Sequence, residues 1–223
     1  MTDARITALI NFVREGSRVA DVGADHGYLS IELAASGRAK FVTATEKNPQ
    51  PLQAARKNIS AAGLDDVIDT RLGDGLKVLS AGEVDTICIA GMGGALITKI
   101  LDESPEVVQS ARQLILQPMN ASEKVRLWLT QNRWTIDEED LAQVAGVIYE
   151  IISAVKSSNA FPKKFKRDSS PLLKKFLSQR AEKIRRVLDE MSKSPAAQTS
   201  EKFSATQKKL AALQKEIDAL NGG

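Results

Sequence analysis

The chain has one cysteine in 223 residues, Cys88, which excludes an intramolecular disulfide and a cysteine-built zinc cluster. It has one histidine, His26, so no histidine ligand set exists and no metal is expected. No run of 18 apolar residues occurs, so no membrane span is expected. Met1-Thr2-Asp3-Ala4-Arg5 lacks a charged region followed by an apolar one. No export signal is therefore expected, and the chain reads as cytoplasmic. The spacing G-x-G-x-x-G is also missing after the first apolar run, which makes a pyrophosphate dinucleotide a poor candidate ligand. What is present is a hydrophobic content of 43%, enough for a core. The length suits one domain of about 150 residues with a smaller appendage.

The most informative stretch is Val19-Ala20-Asp21-Val22-Gly23-Ala24-Asp25-His26-Gly27-Tyr28. A short apolar run ends at Asp21, two glycines follow in the spacing D-x-G-x-x-x-G, and a helical pattern begins at Leu29. This predicts a strand, a tight turn and a helix start. Such a turn lets a ligand press against bare backbone and the partly positive helix N-terminus. A carboxylate leading into two glycines suits S-adenosylmethionine, which carries ammonium, sulfonium and carboxylate groups but no phosphate.

Strand and helix patterns alternate along the first part of the chain. Helical spacing occurs at Ile6, Leu9, Ile10 and Val13. Strands are predicted at Val19–Val22, Phe41–Thr45, Val67–Leu72, Asp85–Ala90 and Gln113–Leu116. Helices are predicted at Leu29–Ser36, Pro49–Ile59, Gly94–Leu101 and Ser122–Gln131, and Trp134–Asp137 with Val147–Val155 suggests a closing hairpin. This alternation implies an α/β fold built on a parallel sheet. Cys88, Trp128 and Trp134 read as core. After Val155 the pattern changes to a polar, basic stretch, and then apolar residues recur at Leu173, Leu177, Ala181, Ile184, Leu188 and Met191. Beyond a breaker around Pro195, Phe203, Leu210, Leu213, Ile217 and Leu220 form a heptad seam. The expectation is a C-terminal α-helical hairpin, an antiparallel coiled coil, with domains at 1–155 and 156–223.

In a doubly wound sheet, ligands bind at the carboxyl edge near the point where strand order reverses. Four predicted strand ends carry suitable residues. Glu46, 23 residues after Gly23, stands where a carboxylate accepts ribose hydroxyls, with Lys47 beside it. In Gly73-Asp74-Gly75 an Asp between glycines can accept from an adenine amino group. Ala90-Gly91-Met92-Gly93-Gly94 lets two ligands meet close to backbone. The cofactor-binding candidates are thus Asp21, Gly23, Asp25, His26, Glu46, Lys47, Asp74, Gly75, Ala90, Gly91, Met92 and Gly93. Asp25, His26 and Tyr28, polar side chains on a binding turn, are the catalytic candidates. Taken singly, each has an ordinary use: Asp21 as a turn cap, Glu46 as a surface acid, Gly73–Gly75 as a loop. Their order and common placement at strand ends favour a site.

These motifs resemble those of the bacterial tRNA (adenine(22)-N1)-methyltransferases. The resemblance rests on residues 19–29, Arg71–Leu76, 87–94 (Ile-Cys-Ile-Ala-Gly-Met-Gly-Gly), 114–118 (Leu-Ile-Leu-Gln-Pro) and Tyr149–Ile152. It implies a Rossmann-like class I methyltransferase domain, S-adenosylmethionine as methyl donor and tRNA as acceptor. Asp21, Gly23, Asp25, His26 and Tyr28 then fall on the first family motif, Glu46 on the ribose-binding acid, Asp74 on the adenine-side loop and Ala90–Gly94 on the fourth motif. The family usually has Gly where this chain has Thr45, and Gln-Pro-Asn where it has Gln117-Pro118-Met119 followed by Asn120.

Charge divides unevenly, with net −6 over residues 1–155 and +9 over residues 156–223. An acidic body with a basic tail suits a polyanion. Lys163, Lys164, Lys166, Arg167, Lys174, Lys175, Arg185 and Arg186 are the candidate RNA-binding residues. A small-molecule methyltransferase would leave this tail unexplained, and a non-catalytic RNA-binding protein would leave the strand-end motifs unexplained. The expected protein is a monomeric tRNA methyltransferase with no membrane partner.

Overall fold

Seven segments with apolar, β-branched runs pair into one sheet: β1 (Ser17–Val22), β2 (Ala39–Glu46), β3 (Ile68–Leu72), β4 (Thr86–Met92), β5 (Gln113–Pro118), β6 (Trp134–Val144) and β7 (Val147–Lys156). They are seen in a computed structural model that describes residues 3–156 and 166–221. The strand order is β3-β2-β1-β4-β5-β7-β6. The first five strands are parallel to their neighbours, and β7 enters antiparallel between β5 and β6. The chain thus steps outward from β1 to β3, returns across β1, and continues from β4. The reversal point lies between β1 and β4, and in doubly wound sheets ligands bind at the carboxyl edge of such a point.

Alternation along the strands builds two apolar layers. Ala20, Val22, Ile87, Ile89, Leu114 and Leu116 face one layer with α4 (Gly94–Asp102), α5 (Pro105–Ser110) and α6 (Ser122–Gln131). Val19, Cys88 and Ile115 face the other, with α1 (Ala4–Phe12), α2 (Tyr28–Ala35) and α3 (Pro49–Ala61). Trp128 and Trp134 are both buried in the first layer, as their sequence setting suggests.

Two features went beyond the sequence pattern. The first hairpin strand runs on to Val144, through the acidic run Asp137–Asp140. As an edge strand it tolerates acids on its open side. The buried acid, Glu139, shares the Arg126 guanidinium with Glu150 of β7. Ala145 and Gly146, both at positive φ, close the hairpin in the two-residue turn that matches strand twist. The second feature is α5, six residues with Pro105 in its first turn, too short to show a period.

The chain divides into two compact units, Met1–Lys166 and Arg167–Gly223. A 3₁₀ turn (Lys166–Ser169) spans the boundary, and the second unit holds α7 (Leu173–Met191), the short α8 (Pro195–Gln198) and α9 (Glu201–Ala219). The long helices α7 and α9 pack together, and Arg185 donates to Gln214 at 2.8 Å across them. On α7 the stripe Leu173, Leu177, Ala181 and Leu188 is buried. On α9 only Ile217 is fully buried, while Phe203, Leu210 and Leu213 are half-buried. No helix among the described residues is long and apolar enough to cross a membrane.

Candidate active site

The glycine turn after β1 is held from two sides. The amides of Gly23 and Ala24 donate to the Thr45 carbonyl at 2.8 and 3.0 Å, and Gly27 closes the turn by donating to Ala24 at 2.7 Å. Gly23 sits at φ +73°, and a Cβ there would run into Met92 Cε. The positive φ favours glycine at this point, since the Met92 methyl is the far end of a flexible side chain and can move aside. Asp25 also has positive φ, +50°, which Asp tolerates better than most residues. Its side chain, with those of His26 and Tyr28, is exposed on the turn. His26 Nε2 lies 3.7 Å from Asp25 Oδ1, and the His26 and Tyr28 rings are 5.7 Å apart.

Asp21 behaves differently from its neighbours on this stretch. It is buried beneath the turn and accepts from the Ser30 hydroxyl at 2.6 Å. Burial pushes its carboxyl up to about 6, opposed by hydrogen bonds from the Ser30 hydroxyl and amide. The motif carboxylate therefore ties β1 to α2, while Asp25 is the acid that faces outward.

Glu46, at the end of β2, is 7% exposed. Its Oε1 accepts from the Asn48 amide and side chain at 2.9 and 3.0 Å, and its Oε2 faces the Asp25 amide at 3.4 Å. The carboxylate thus bridges the glycine turn and the start of α3, leaving lone pairs for hydroxyl donors. Lys47 beside it is exposed. Asp74 is exposed after β3 and pairs with Lys77 at 3.1 Å, while the Gly73 amide donates to the Glu46 carbonyl at 2.9 Å. Gly75 backs onto Ile100 of α4.

At the carboxyl end of β4 the backbone lies bare. The Gly91 amide donates to Gln117 Oε1 at 3.1 Å, and the Met119 amide donates to the Met92 carbonyl at 2.8 Å. A Cβ on Gly94 would meet the Ala121 carbonyl, so α4 starts in contact with the loop after β5. Asn120, one place later than in the family pattern, still reaches this loop: a Cβ on Gly93 would stand 3.1 Å from its Oδ1. Met119 is solvent-exposed instead.

Residues 2–152 match the family model described as a methyltransferase domain. A Bacillus subtilis tRNA (adenine(22)-N(1))-methyltransferase is 35% identical over 150 residues, 67% of this chain and 63% of that relative. A Streptococcus pneumoniae protein, a proposed tRNA (m1A22) methyltransferase solved in complex with S-adenosyl-L-methionine, superposes with TM-score 0.83 at 32% identity. That match covers 97% of this chain and 100% of the other. The chain belongs to the methyltransferase-domain family, in its tRNA (adenine(22)-N1)-methyltransferase branch. A crystal structure of a B. subtilis m1A22 tRNA methyltransferase also aligns, at 25% identity and TM-score 0.77, over 100% of this chain and 98% of that one.

In this methyltransferase the sequence candidates therefore separate into groups. Gly23, Asp25, His26, Tyr28, Glu46, Asp74 and the Ala90–Gly93 stretch that ends β4 all lie at the carboxyl edge of β1 to β4. Asp21 lies beneath that edge. Of the basic candidates, Lys174, Lys175, Arg185 and Arg186 are exposed on α7, and Arg167 is half-buried before it. Arg185 and Arg186 share Glu182, at 3.7 and 3.3 Å. Lys163 and Lys164, and the side chain of Lys166, lie outside the described residues. Sequence reasoning missed Asn48, and it quoted Gln117 only within the Gln-Pro motif, without its contact to the Gly91 amide. The spacing Glu46-x-Asn48 ahead of Pro49 was a signal for the first. Nothing local marks the Gln117 contact, because Gly91 lies 26 residues away in the chain.

Proposed function

We propose that this protein transfers a methyl group from S-adenosylmethionine to N1 of an adenine in tRNA, position 22 by resemblance to its family. The observation that carries the reading is the junction of Glu46 with the glycine turn. A buried carboxylate bonded to the Asp25 amide stands beside a turn pressed by Met92, with the bare Gly91–Gly94 backbone opposite. This cradle fits the donor: a Glu46 carboxylate for ribose hydroxyls, Asp74 for an adenine amino group, and exposed backbone where bulk must be excluded. When bound, S-adenosylmethionine supplies an electrophilic methyl on a sulfonium.

The residues around the acceptor position do the rest. Enzymes that methylate an exocyclic amine commonly place Asn/Asp-Pro-Pro-aromatic after the fourth strand to engage the amino group. This chain has Ala90-Gly91-Met92-Gly93 there. Adenine N1 carries an in-plane lone pair and needs no deprotonation, so catalysis rests on aligning it with the methyl. Methylation leaves the base cationic, and Asp25, exposed on the turn, favours that developing charge. His26 and Tyr28 offer ring surfaces to a base that must leave its stack, since N1 lies on the Watson–Crick edge. The cations of 156–223 hold tRNA phosphates, which position rather than specify. A tRNA acceptor is compatible with a cytoplasmic reaction.

The test is transfer of labelled methyl from S-adenosylmethionine to unmodified tRNA, with the product nucleoside identified. N1-methyladenosine is expected, and Asp25→Ala should lower turnover more than donor affinity. Label absent from tRNA, or Asp25→Ala working at the parent rate, removes this reading or the role of Asp25, respectively.

A further inference from the structure

The two ends of the glycine turn are tied to different parts of the chain. Gly23 and Ala24, at one end, hang by their backbone amides from the Thr45 carbonyl of β2. The other end is held by a side chain. Asn58 of α3 donates from Nδ2 to the His26 carbonyl at 2.9 Å. No motif marks Asn58, which stands 32 residues from the carbonyl it meets. A carbonyl can only accept, so an amide NH₂ is a group suited to that place. The same helix lies against bare backbone one residue later: a Cβ on Gly27 would stand 3.3 Å from Ala55 Cβ and 3.5 Å from Ile59 Cδ1. The Ala62 amide bonds back to the Asn58 carbonyl at 3.0 Å, so the donor projects from a formed helix and not from a loop.

The peptide that Asn58 grips is one that needs a hold. Asp25 before His26 is at φ +50° and Gly27 after it at φ +76°, so His26 stands between two left-handed residues. Left-handed backbone at a non-glycine residue is disfavoured and persists where surrounding contacts fix it. The Asp25 amide has only a long contact, to Glu46 Oε2 at 3.4 Å, and the Gly27 amide bonds within the turn, to Ala24 at 2.7 Å. The exposed side chains do not hold one another: Asp25 and His26 are 3.7 Å apart, and 66% and 50% exposed. Their direction is therefore set by the backbone that carries them, and Asn58 holds that backbone at His26 from outside the turn.

We infer that Asn58 is a positioning residue for methyl transfer: by holding the His26 carbonyl it aims Asp25 at the acceptor base. This rests on the proposed reaction and adds to it a residue that touches neither donor nor acceptor. Asn58 is half-buried, so water takes over the His26 carbonyl when the side chain is removed, and little stability goes with it. What goes is alignment, on which attack by an in-plane lone pair depends. Donor affinity, assigned to the Glu46 end of the site, does not follow.

The experiment compares the full chain with Asn58→Leu, Asn58→Gln, Asp25→Ala, and Asn58→Leu combined with Asp25→Ala. The quantities read are kcat for methyl transfer to unmodified tRNA, calorimetric affinity for S-adenosylmethionine, and the thermal midpoint. Asn58→Leu should lower kcat about 10-fold, with donor affinity within about 2-fold and the midpoint within about 4 °C of parent. Asn58→Gln keeps an amide donor on a longer stem and should recover part of the rate; no recovery would count against the amide grip. In the Asp25→Ala background Asn58→Leu should cost much less than in the parent, since both act through one carboxylate. Full additivity would place the effect elsewhere and overturn the inference. So would an unchanged kcat, or a loss of donor affinity equal to the loss of rate, which would make Asn58 part of the donor scaffold. A rate loss that tracks a large fall in midpoint would reduce Asn58 to a structural role. If Asn58→Leu does not fold, Asn58→Ser, whose hydroxyl is too short to reach His26, takes its place with the same expected outcomes. Parent protein that transfers no methyl to tRNA removes the proposed reaction and the part of Asn58 in it, a separate result seen without any variant.

Discussion

Replacing Asp21 by Asn tests the buried carboxylate under the glycine turn. In the folded protein its carboxyl is raised from the usual 3.8 to about 6, chiefly by burial. That difference corresponds to about 3 kcal/mol against the ionised form. Because the folded state holds the proton more tightly than the unfolded chain, stability falls as pH rises through this window. Below about pH 4 the residue is protonated in both states and the penalty is absent; above about pH 7 it is present in full. Asn removes the titration but keeps an oxygen that accepts from Ser30. Chemical denaturation of parent and Asp21→Asn protein, followed at pH 4 to 8, reads the effect directly. The stability of Asp21→Asn relative to parent should rise by about 2–3 kcal/mol across that range, most of it between pH 4 and 6. Any fixed cost of fitting the amide shifts the curve without changing its slope. A difference that stays flat with pH would show that Asp21 does not titrate as a desolvated acid, and the reasoning would fail.

Other outcomes follow from single contacts. Glu46→Ala should weaken S-adenosylmethionine binding by about 1–3 kcal/mol in calorimetry, and unchanged affinity in a folded variant would remove its assignment. Gly23→Ala should lower stability by about 1–2 kcal/mol in thermal unfolding, chiefly from its positive φ, and an unchanged midpoint would remove the need for glycine there. Arg126→Met takes away the guanidinium that buried Glu139 and Glu150 share. It should cost about 3 kcal/mol by denaturant titration, the low end for such pairs because Arg126 is 30% exposed. Neutralising Lys174 and Lys175 to Gln should weaken tRNA binding and reduce its salt slope by about one to two, leaving donor affinity intact; an unchanged slope would make this helix a bystander.

The sequence by itself determined the order of the main elements and which candidate residues stand at strand ends. Apolar runs of period two, helices of period 3.6 and glycines at strand ends are local signals, carried by neighbours in the chain. They were enough to put Gly23, Glu46, Asp74 and Ala90–Gly94 at strand ends, and their arrangement resembles the known family closely enough to name the reaction. Tertiary structure decided what each acid does. Asp21 and Asp25 stand four residues apart in one motif, yet one is buried on Ser30 and the other faces solvent, because strand alternation and a left-handed turn send them opposite ways. Tertiary structure also extended β6 through four acids, since a buried Glu139 is acceptable only where Arg126 arrives from another element. Arg5 meets Gly91 across 86 positions of sequence. Such a meeting depends on how α1 packs against the sheet, and no pattern within a window of neighbouring residues contains it.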